Sequence, residues 1–275
     1  RPDLEVLGFI VTPNGLKPHP NKVQAINDMP AEGLRDQKEV LRFLGMVNFY
    51  RRFVHQLSTK AEPLFRLLKK ETPRGAAWPW GEEAQKAYEG VKADLRNAAC
   101  QAHPDLRDPN AEYIIMTDAS KLAAGAVLFQ WQRKHEKNEP WPANLKFKNG
   151  PDGPEFAAMH KERLEAGYHL VCLGYFSKTF HESQKNWATF DKEAGAILMA
   201  CAQWRRLITG RPCTVYTDNT VAKSLLYNYS ISRPARLQRW GIELGTYLPF
   251  LRVAYRQGEL NPVADYLSRY QASAG

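Results

Sequence analysis

Two aspartates each follow an apolar run that is typical of a buried β-strand. Asp118 comes after the run 113–116 and Asp218 after the run 213–216, and a threonine precedes each of them. Because the carboxyl ends of neighbouring strands meet at one edge of an open α/β sheet, we expect the two aspartates to lie close together. For either residue alone, a turn-forming aspartate is the alternative interpretation.

Two further acids are placed by predicted helices. The helix predicted over 190–210 has an apolar stripe, and Glu193 extends that stripe by one turn, where a solvated helix would not place a carboxylate. Asp265 falls in the first turn of a short helix that begins at Asn261 and Pro262. A first-turn acid that favours the helix dipole is the alternative for both residues.

The four carboxylates form an all-oxygen set, which indicates metal-dependent chemistry. Converging carboxylates raise one another's pKa unless a cation compensates their charge. Mg²⁺ suits such ligands, as does Mn²⁺, and two ions about 4 Å apart can activate a water and stabilise the leaving oxygen in phosphodiester cleavage. We therefore predict that Asp118, Glu193, Asp218 and Asp265 are both the catalytic residues and the ligands of two Mg²⁺ ions.

The composition is that of a folded protein with a polyanionic partner. Of the 275 residues, 44% are hydrophobic, and the formal net charge is +9, which favours nucleic acid. The four cysteines lack CxxC spacing, so a zinc site and a disulfide framework are both unsupported. Without a secretory signal or an apolar run long enough to span a membrane, we expect an intracellular protein of the cytoplasm, the nucleus or an organelle, with no membrane partner.

Hydrophobic periodicity divides the chain into two parts. An α-rich part comes first, and the boundary to an α/β part lies near 105–111. Residues 131–172 are polar and weakly periodic, which predicts a surface insertion between two strands. The elements predicted before the boundary are a strand over 5–11 and helices over 20–29, 34–55, 60–70 and 82–97.

The order of these motifs resembles the C-terminal part of a Ty3/gypsy-type retrotransposon reverse transcriptase. TDAS at 117–120, KEAGAI at 192–197, YTDN at 216–219 and YRQGELNPVADYLSR at 255–269 are similar to its ribonuclease H domain. The family's four acids fall on the four carboxylates named above. The implied fold is a ribonuclease H-like mixed sheet flanked by helices, preceded by a mainly α-helical thumb and tether region.

The resemblance also implies limits for the domains. Residues 1–30 look like the primer-grip end of a polymerase palm, 31–75 like thumb helices and 76–110 like the tether or connection. Residues 111–275 look like the ribonuclease H domain, with the insertion 131–172 inside it. The polymerase active site is absent from this sequence, so we expect no DNA synthesis from the chain alone.

The implied activity is that of an endoribonuclease that cleaves the RNA strand of RNA–DNA hybrids. The implied partners are a hybrid or RNA, together with a missing N-terminal polymerase region or a larger ribonucleoprotein assembly. The alternative is a domesticated, non-catalytic fragment that serves as a structural or RNA-binding subunit. A transposase or integrase of the same fold fits less well, since those proteins usually end their acid set with Glu.

Seven residues are predicted to contact nucleic acid. The thumb helix of the family follows the minor groove, which would give Gly45 a role in close backbone approach and place Asn48 and Arg51 near the sugar–phosphate backbone. Helix packing around Gly45 is the alternative. Basic residues that follow the acids are expected as a group to bind phosphates, while for any one of them a solvated charge is the favoured interpretation; they are Arg205, Arg206, Lys223 and Arg236.

Overall fold

The computed structural model describes five stretches of the chain: residues 3–69, 77–133, 161–219, 235–247 and 250–255. Asp265, Lys223 and the middle of the predicted insertion lie outside them. Within these stretches, no helix combines the length and the apolar character that crossing a membrane requires.

A small antiparallel sheet forms the start of the described chain. It consists of β1 (Leu4–Val6), β2 (Phe9–Thr12) and β3 (Gly15–Pro18). The sequence predicts one strand over 5–11, and this prediction is wrong. Leu7 and Gly8 have φ angles of 48° and 80°, which turn the chain back on itself and divide the strand into a hairpin.

A helical region, defined here as residues 20–96, follows the small sheet. Asp36 caps the N-terminus of the helix Gln37–Phe49, because its side chain accepts a hydrogen bond from the Glu39 N–H at 2.7 Å. Phe43 and Tyr88 pack edge to face in its core with ring centroids 4.7 Å apart. The elements are α1 (Pro20–Asn27), α2 (Gln37–Phe49), a 3₁₀ turn (Arg51–Phe53), α3 (Leu57–Lys60), α4 (Glu62–Lys69) and α5 (Glu82–Arg96).

A five-stranded mixed sheet dominates the rest of the described chain. Its strands are β4 (Tyr113–Ala119), β5 (Ala123–Arg133), β6 (Tyr168–Thr179), β7 (Cys213–Thr217) and β8 (Leu251–Tyr255). They lie in the order β6-β5-β4-β7-β8. β4 pairs antiparallel with β5 and parallel with β7. β4, β5 and β6 are consecutive antiparallel strands and form a meander. The predicted α/β fold class with a mixed sheet is confirmed.

Helices cover this sheet, and one of them packs over its centre. α7 (Thr189–Gln203) places Ile197 and Ala200 against Ile115 and Val215, and all four side chains are fully buried. The long predicted helix over 190–210 is broken at Trp204, after which α8 (Arg205–Ile208) begins. The other helices are α6 (Glu182–Lys185) and α9 (Ala235–Gly245).

The helical region contacts the sheet along β6, which is the edge strand next to β5. Arg52 also joins Gln101, on the segment that leads into the sheet, through a hydrogen bond of 2.8 Å. Hydrogen bonds from residues 51–102 to β6 include Ala102 N to Cys172 O (2.9 Å), Arg52 to Leu173 O (3.2 Å), Arg51 to Ser177 O, and Ser58 N to Ser177 Oγ (2.9 Å).

Both strands that border the predicted insertion extend into it. β5 continues to Arg133 and β6 begins at Tyr168, while residues 161–165 are helical. Trp131 and Tyr168 are completely buried on the sheet face opposite α7, which explains why the polar composition around them does not end the strands. The intervening residues 134–160 lie outside the described chain.

A buried ion pair joins the 161–165 helix to the sheet. The Arg163 guanidinium contacts the Glu112 carboxylate at 2.5 Å, and both side chains are almost inaccessible to solvent. The Thr214 hydroxyl donates to the other Glu112 oxygen at 2.6 Å, and the guanidinium lies 5.3 Å from the Trp131 ring centroid. The strand β7, the edge of the insertion and the start of β4 therefore share one polar network.

We expect Arg163→Ala to lower the free energy of unfolding by about 3–5 kcal/mol, because it leaves the Glu112 carboxylate buried without its cation. Denaturant unfolding followed by circular dichroism measures this change. Lys161→Ala is the matched control, since it removes an exposed pair with Glu165 and should cost less than about 0.5 kcal/mol. Equal effects of the two substitutions would contradict the role assigned to the buried pair.

Candidate active site

Asp118 and Asp218 lie at the same edge of the five-stranded sheet. The parallel register of β4 and β7 pairs Met116 with Tyr216. An aspartate comes two residues after each of these, so the two aspartates lie side by side. The Thr117 hydroxyl donates to the Tyr216 carbonyl at 3.3 Å and ties the two strand ends together. Partial burial raises the pKa of Asp118, and the nearby charge of Asp218 raises it further.

Glu193 joins the two aspartates from α7. Glu193 is only 5% exposed, and its Oε2 atom is buried with no hydrogen-bond partner in the described chain. Burial, followed by the charges of Asp218 and Asp118, raises the pKa of Glu193 to about 8, while the Ala119 N–H opposes the shift. The structure thus brings three of the four predicted acids within electrostatic reach of one another.

A fourth side chain, which the sequence does not indicate, contacts this cluster of three acids. Gln56 Nε2 donates to Asp118 Oδ2 at 2.5 Å from the helical region. Gly125 lies opposite Asp118 in the strand register, and a Cβ there would be 3.4 Å from the Gln56 Cγ. The small residues 123–126 are the only hint of this approach in the sequence, since they leave room above the strand.

The chemistry of these donors fits a hard divalent cation. Carboxylate oxygens are the preferred ligands of Mg²⁺, and a cation would compensate both the unpartnered Glu193 oxygen and the mutual repulsion of the acids. Across the described stretches, however, no group of three or more metal-ligating side chains is arranged closely enough to hold an ion. The fourth predicted ligand, Asp265, lies outside those stretches.

The three residues predicted to contact nucleic acid from the thumb helix differ from one another in exposure and in their hydrogen bonds. Gly45 and Asn48 are exposed on α2, and a Cβ on Gly45 would meet no atom of the described chain within 4 Å. The alternative of helix packing around Gly45 therefore has no counterpart among the described residues. Arg51 instead directs its guanidinium to the Ser177 carbonyl of β6, so part of its hydrogen-bonding capacity is used within the chain.

The basic residues around the acids also divide into two groups. Arg205 and Arg206 are exposed on α8. Arg236 forms an ion pair with Asp191 at the start of α7, and its guanidinium lies over the rings of Trp187 and Trp240, 4.7 and 5.5 Å from their centroids. It ties α9 to α7 near Glu193. Lys223 lies outside the described residues, and the predicted phosphate contacts of all these residues stay predictions.

Two protein families with the same description match the chain. The family described as "RNase H-like domain found in reverse transcriptase" matches residues 155–247. A second family of the same description matches residues 80–141, which begins near α5 in the helical region.

Curated relatives match almost the whole chain. The retrovirus-related Pol polyproteins from transposons 297 and 412 of Drosophila melanogaster are 30% and 31% identical over 96% and 97% of it. The Tf2-3 transposon polyprotein of Schizosaccharomyces pombe is 27% identical over 97%. The chain covers 20%, 18% and 17% of these polyproteins, respectively, so it spans about a fifth of the relatives it matches.

Solved structures show the same fold. The foamy viral protease-reverse transcriptase in complex with dsDNA aligns with a TM-score of 0.62 at 20% identity, over 94% of this chain and 45% of that one. The same viral protein in complex with an RNA/DNA hybrid aligns with a TM-score of 0.63 at 18% identity, over 94% and 30%. The family matches and the relatives support a retrotransposon-type reverse transcriptase region with an RNase H-like domain, and the solved structures show the corresponding fold.

The raised pKa of Glu193 makes the stability of the metal-free chain depend on pH. Since its pKa is about 8 in the fold and 4.5 ordinarily, Glu193 contributes stability below pH 4.5 that is lost as pH rises through 8. Glu193→Gln stays neutral, so at pH 9 in EDTA it should be more stable than the wild type by on the order of 3 kcal/mol. Near pH 5 the two proteins should unfold alike.

Thermal unfolding in EDTA between pH 5 and pH 9 measures this difference. Glu182→Gln is the matched control, because the exposed Glu182 pairs with Lys69 and Lys185 and its pKa is lowered rather than raised. If the stabilities of Glu193→Gln and the wild type depend on pH in the same way over the whole range, the pKa of Glu193 is not raised in the fold.

Proposed function

We propose that this region of a retrotransposon-type reverse transcriptase cleaves the RNA strand of RNA–DNA hybrids by metal-assisted phosphodiester hydrolysis. The observation that carries the proposal is the electrostatic coupling of Asp118, Glu193 and Asp218 at the carboxyl ends of β4 and β7. Such a set of acids has little purpose in a purely structural sheet, because it destabilises the fold unless a cation is bound.

The proposed cofactor is a pair of Mg²⁺ ions, for which Mn²⁺ can substitute. Asp118, Glu193 and Asp218 would hold the ions together with Asp265, and the bound ions would activate water and stabilise the leaving oxygen. The protein's own contribution is to place and orient these side chains. Glu193 is buried on α7, and the Asp118 carboxylate is held by the amide of Gln56.

Several features support a nucleic-acid substrate. The net charge of +9 attracts polyanions. A groove of about 470 Å³ runs along β6, and its lining includes Arg51, Arg52 and Lys178 but no acidic residue. Ser177 in this groove is two strands away from Asp118, with Gly125 between them in register. Phosphates bound at Ser177 would therefore lie about 10 Å from Asp118, two strand spacings along the same sheet.

Structural relatives of this chain have been solved with nucleic acid bound. The foamy viral enzyme is described in complex with dsDNA and with an RNA/DNA hybrid. For this chain we propose a hybrid, which a protein can distinguish from DNA by helix shape and the 2′-hydroxyl groups. We also propose that the chain acts within a longer protein that includes a polymerase region.

The exposed face of α2 supplies a second contact surface in this proposal. Gly45 leaves the helix backbone open to a ligand, and Asn48 lies one turn further along the same face. The backbone of a duplex could approach α2 closely at this point. The open space around Gly45 supports this interpretation, because glycine otherwise weakens a helix interior.

Asp118→Asn or Asp218→Asn should reduce hybrid cleavage by roughly 1,000-fold or more, while hybrid affinity changes by less than about threefold. A labelled RNA–DNA hybrid with Mg²⁺ or EDTA measures cleavage, and fluorescence anisotropy measures binding. Asp28→Asn is the matched control, because within the described stretches its carboxylate accepts a local hydrogen bond from Gln24. Cleavage that survives Asp118→Asn would contradict the site, and wild-type binding without cleavage would favour a non-catalytic RNA-binding subunit.

Gly45→Ala should stabilise α2 by about 0.5–1 kcal/mol and yet weaken hybrid binding by roughly threefold or more, with Gly45→Leu weaker still. The gain follows from helix propensity, and the loss follows from a side chain between the helix and its ligand. Gly90 in α5 is an ideal control, since a Cβ there also meets nothing within 4 Å of the described chain. If Gly45→Ala and Gly90→Ala bind the hybrid equally well, α2 does not contact the duplex backbone.

A further inference from the structure

The hydrogen bond between Gln56 and Asp118 connects the helical region to the candidate active site. We propose that Gln56 is a positioning residue, whose amide holds the Asp118 carboxylate in the orientation that receives a divalent cation. This inference rests on the proposed metal-dependent function. It assigns part of the nuclease site to a residue 62 positions earlier in the chain, outside the sheet and its helices.

The backbone at Gln56 does not itself call for glutamine. Its φ and ψ angles of 52° and 36° place it in the left-handed region, at the N-cap of α3. Among the described residues other than glycine, Leu7 alone shares a positive φ. Glycine or asparagine would adopt this conformation with less strain. The glutamine side chain must therefore be explained by what it reaches.

The contacts around Gln56 fix the direction of its side chain. Two residues later, the Ser58 N–H donates to Ser177 Oγ at 2.9 Å, and both residues are buried. Ser177 and Asp118 flank Gly125 on either side in the strand register. The Gln56 side chain passes over Gly125, where a Cβ would lie 3.4 Å from the Gln56 Cγ, in ordinary van der Waals contact. Backbone anchoring and strand register thus direct the amide at Asp118.

The chemistry of the contact suits a residue that orients a metal ligand. A glutamine amide N–H is a neutral donor, so it fixes one carboxylate oxygen without competing for the charge of the site. The Ala119 backbone N–H also donates to this carboxylate, and the remaining lone pairs of its two oxygens can bind a cation. Carboxylates that bind metals are commonly held by such hydrogen bonds, and losing the partner typically lowers metal affinity about 10–100-fold.

Two substitutions separate this role from a structural one. Gln56→Gly and Gln56→Asn both suit the left-handed backbone, but glycine removes the amide and asparagine is one methylene too short to reach Asp118. We expect both variants of the full chain to bind Mn²⁺ roughly tenfold more weakly than the wild type, with melting temperatures equal or higher. Electron paramagnetic resonance titration with MnCl₂, without nucleic acid, measures the affinity.

Two controls match the changes. Leu7→Gly relieves the same kind of backbone strain at an exposed site away from the acids, and Gln37→Ala removes an amide whose partner is the Leu68 carbonyl. Both should bind Mn²⁺ like the wild type. Asp118→Asn defines the loss expected when a ligand itself is removed.

The outcomes distinguish this inference from the proposed function. If the wild type binds Mn²⁺ more tightly than Asp118→Asn and Gln56→Gly binds it equally well, the positioning role is overturned while the metal site stands. Tighter binding by Gln56→Gly would show that the amide competes with the cation, which also overturns the inference. A wild type that binds Mn²⁺ no better than Asp118→Asn would overturn both.

Discussion

Repulsion among three carboxylates is the constraint around which this structure is organised. β4 and β7 run parallel, so their aspartates reach the same sheet edge, and α7 adds a glutamate from above. The apolar contact between α7 and the sheet fixes this arrangement, since Ile197 and Ala200 are fully buried against the strands. A fold that packs this tightly cannot separate its acids, so the charge has to be neutralised by protons or by a cation.

The helical region and the sheet are mutually dependent parts of one molecule. α5, which the sequence assigns to a tether, contributes Tyr88 and Leu95 to the core of the helical region. The chain then reaches the sheet through Gln101, which bridges to Leu16 in β3 and accepts from Arg52. The position of each part is thereby specified by contacts with the other, and the site at Asp118 draws on both.

The sequence was sufficient for features that depend on local pattern. Strand-end aspartates and the glutamate on a buried stripe are visible because periodicity reveals which face of an element is covered. Features that depend on distant contacts were not visible. Gln56 meets Asp118 across 62 positions and Arg51 meets Ser177 across 126, and no local pattern records such pairings. The division at Leu7 was missed because an apolar residue rarely takes a left-handed conformation.

The cover over β6 also affects how the molecule behaves in solution. An edge strand offers unpaired carbonyl and N–H groups to any other strand, and long uncovered edges promote association between chains. Here the carbonyls of Cys172, Leu173 and Ser177 are occupied by donors from residues 51–102. The helical region and the segment that follows it thus protect β6 from pairing with strands of other molecules. The five-stranded sheet with its own helices, separated from the preceding residues between α5 and β4, would expose this edge and tend to aggregate.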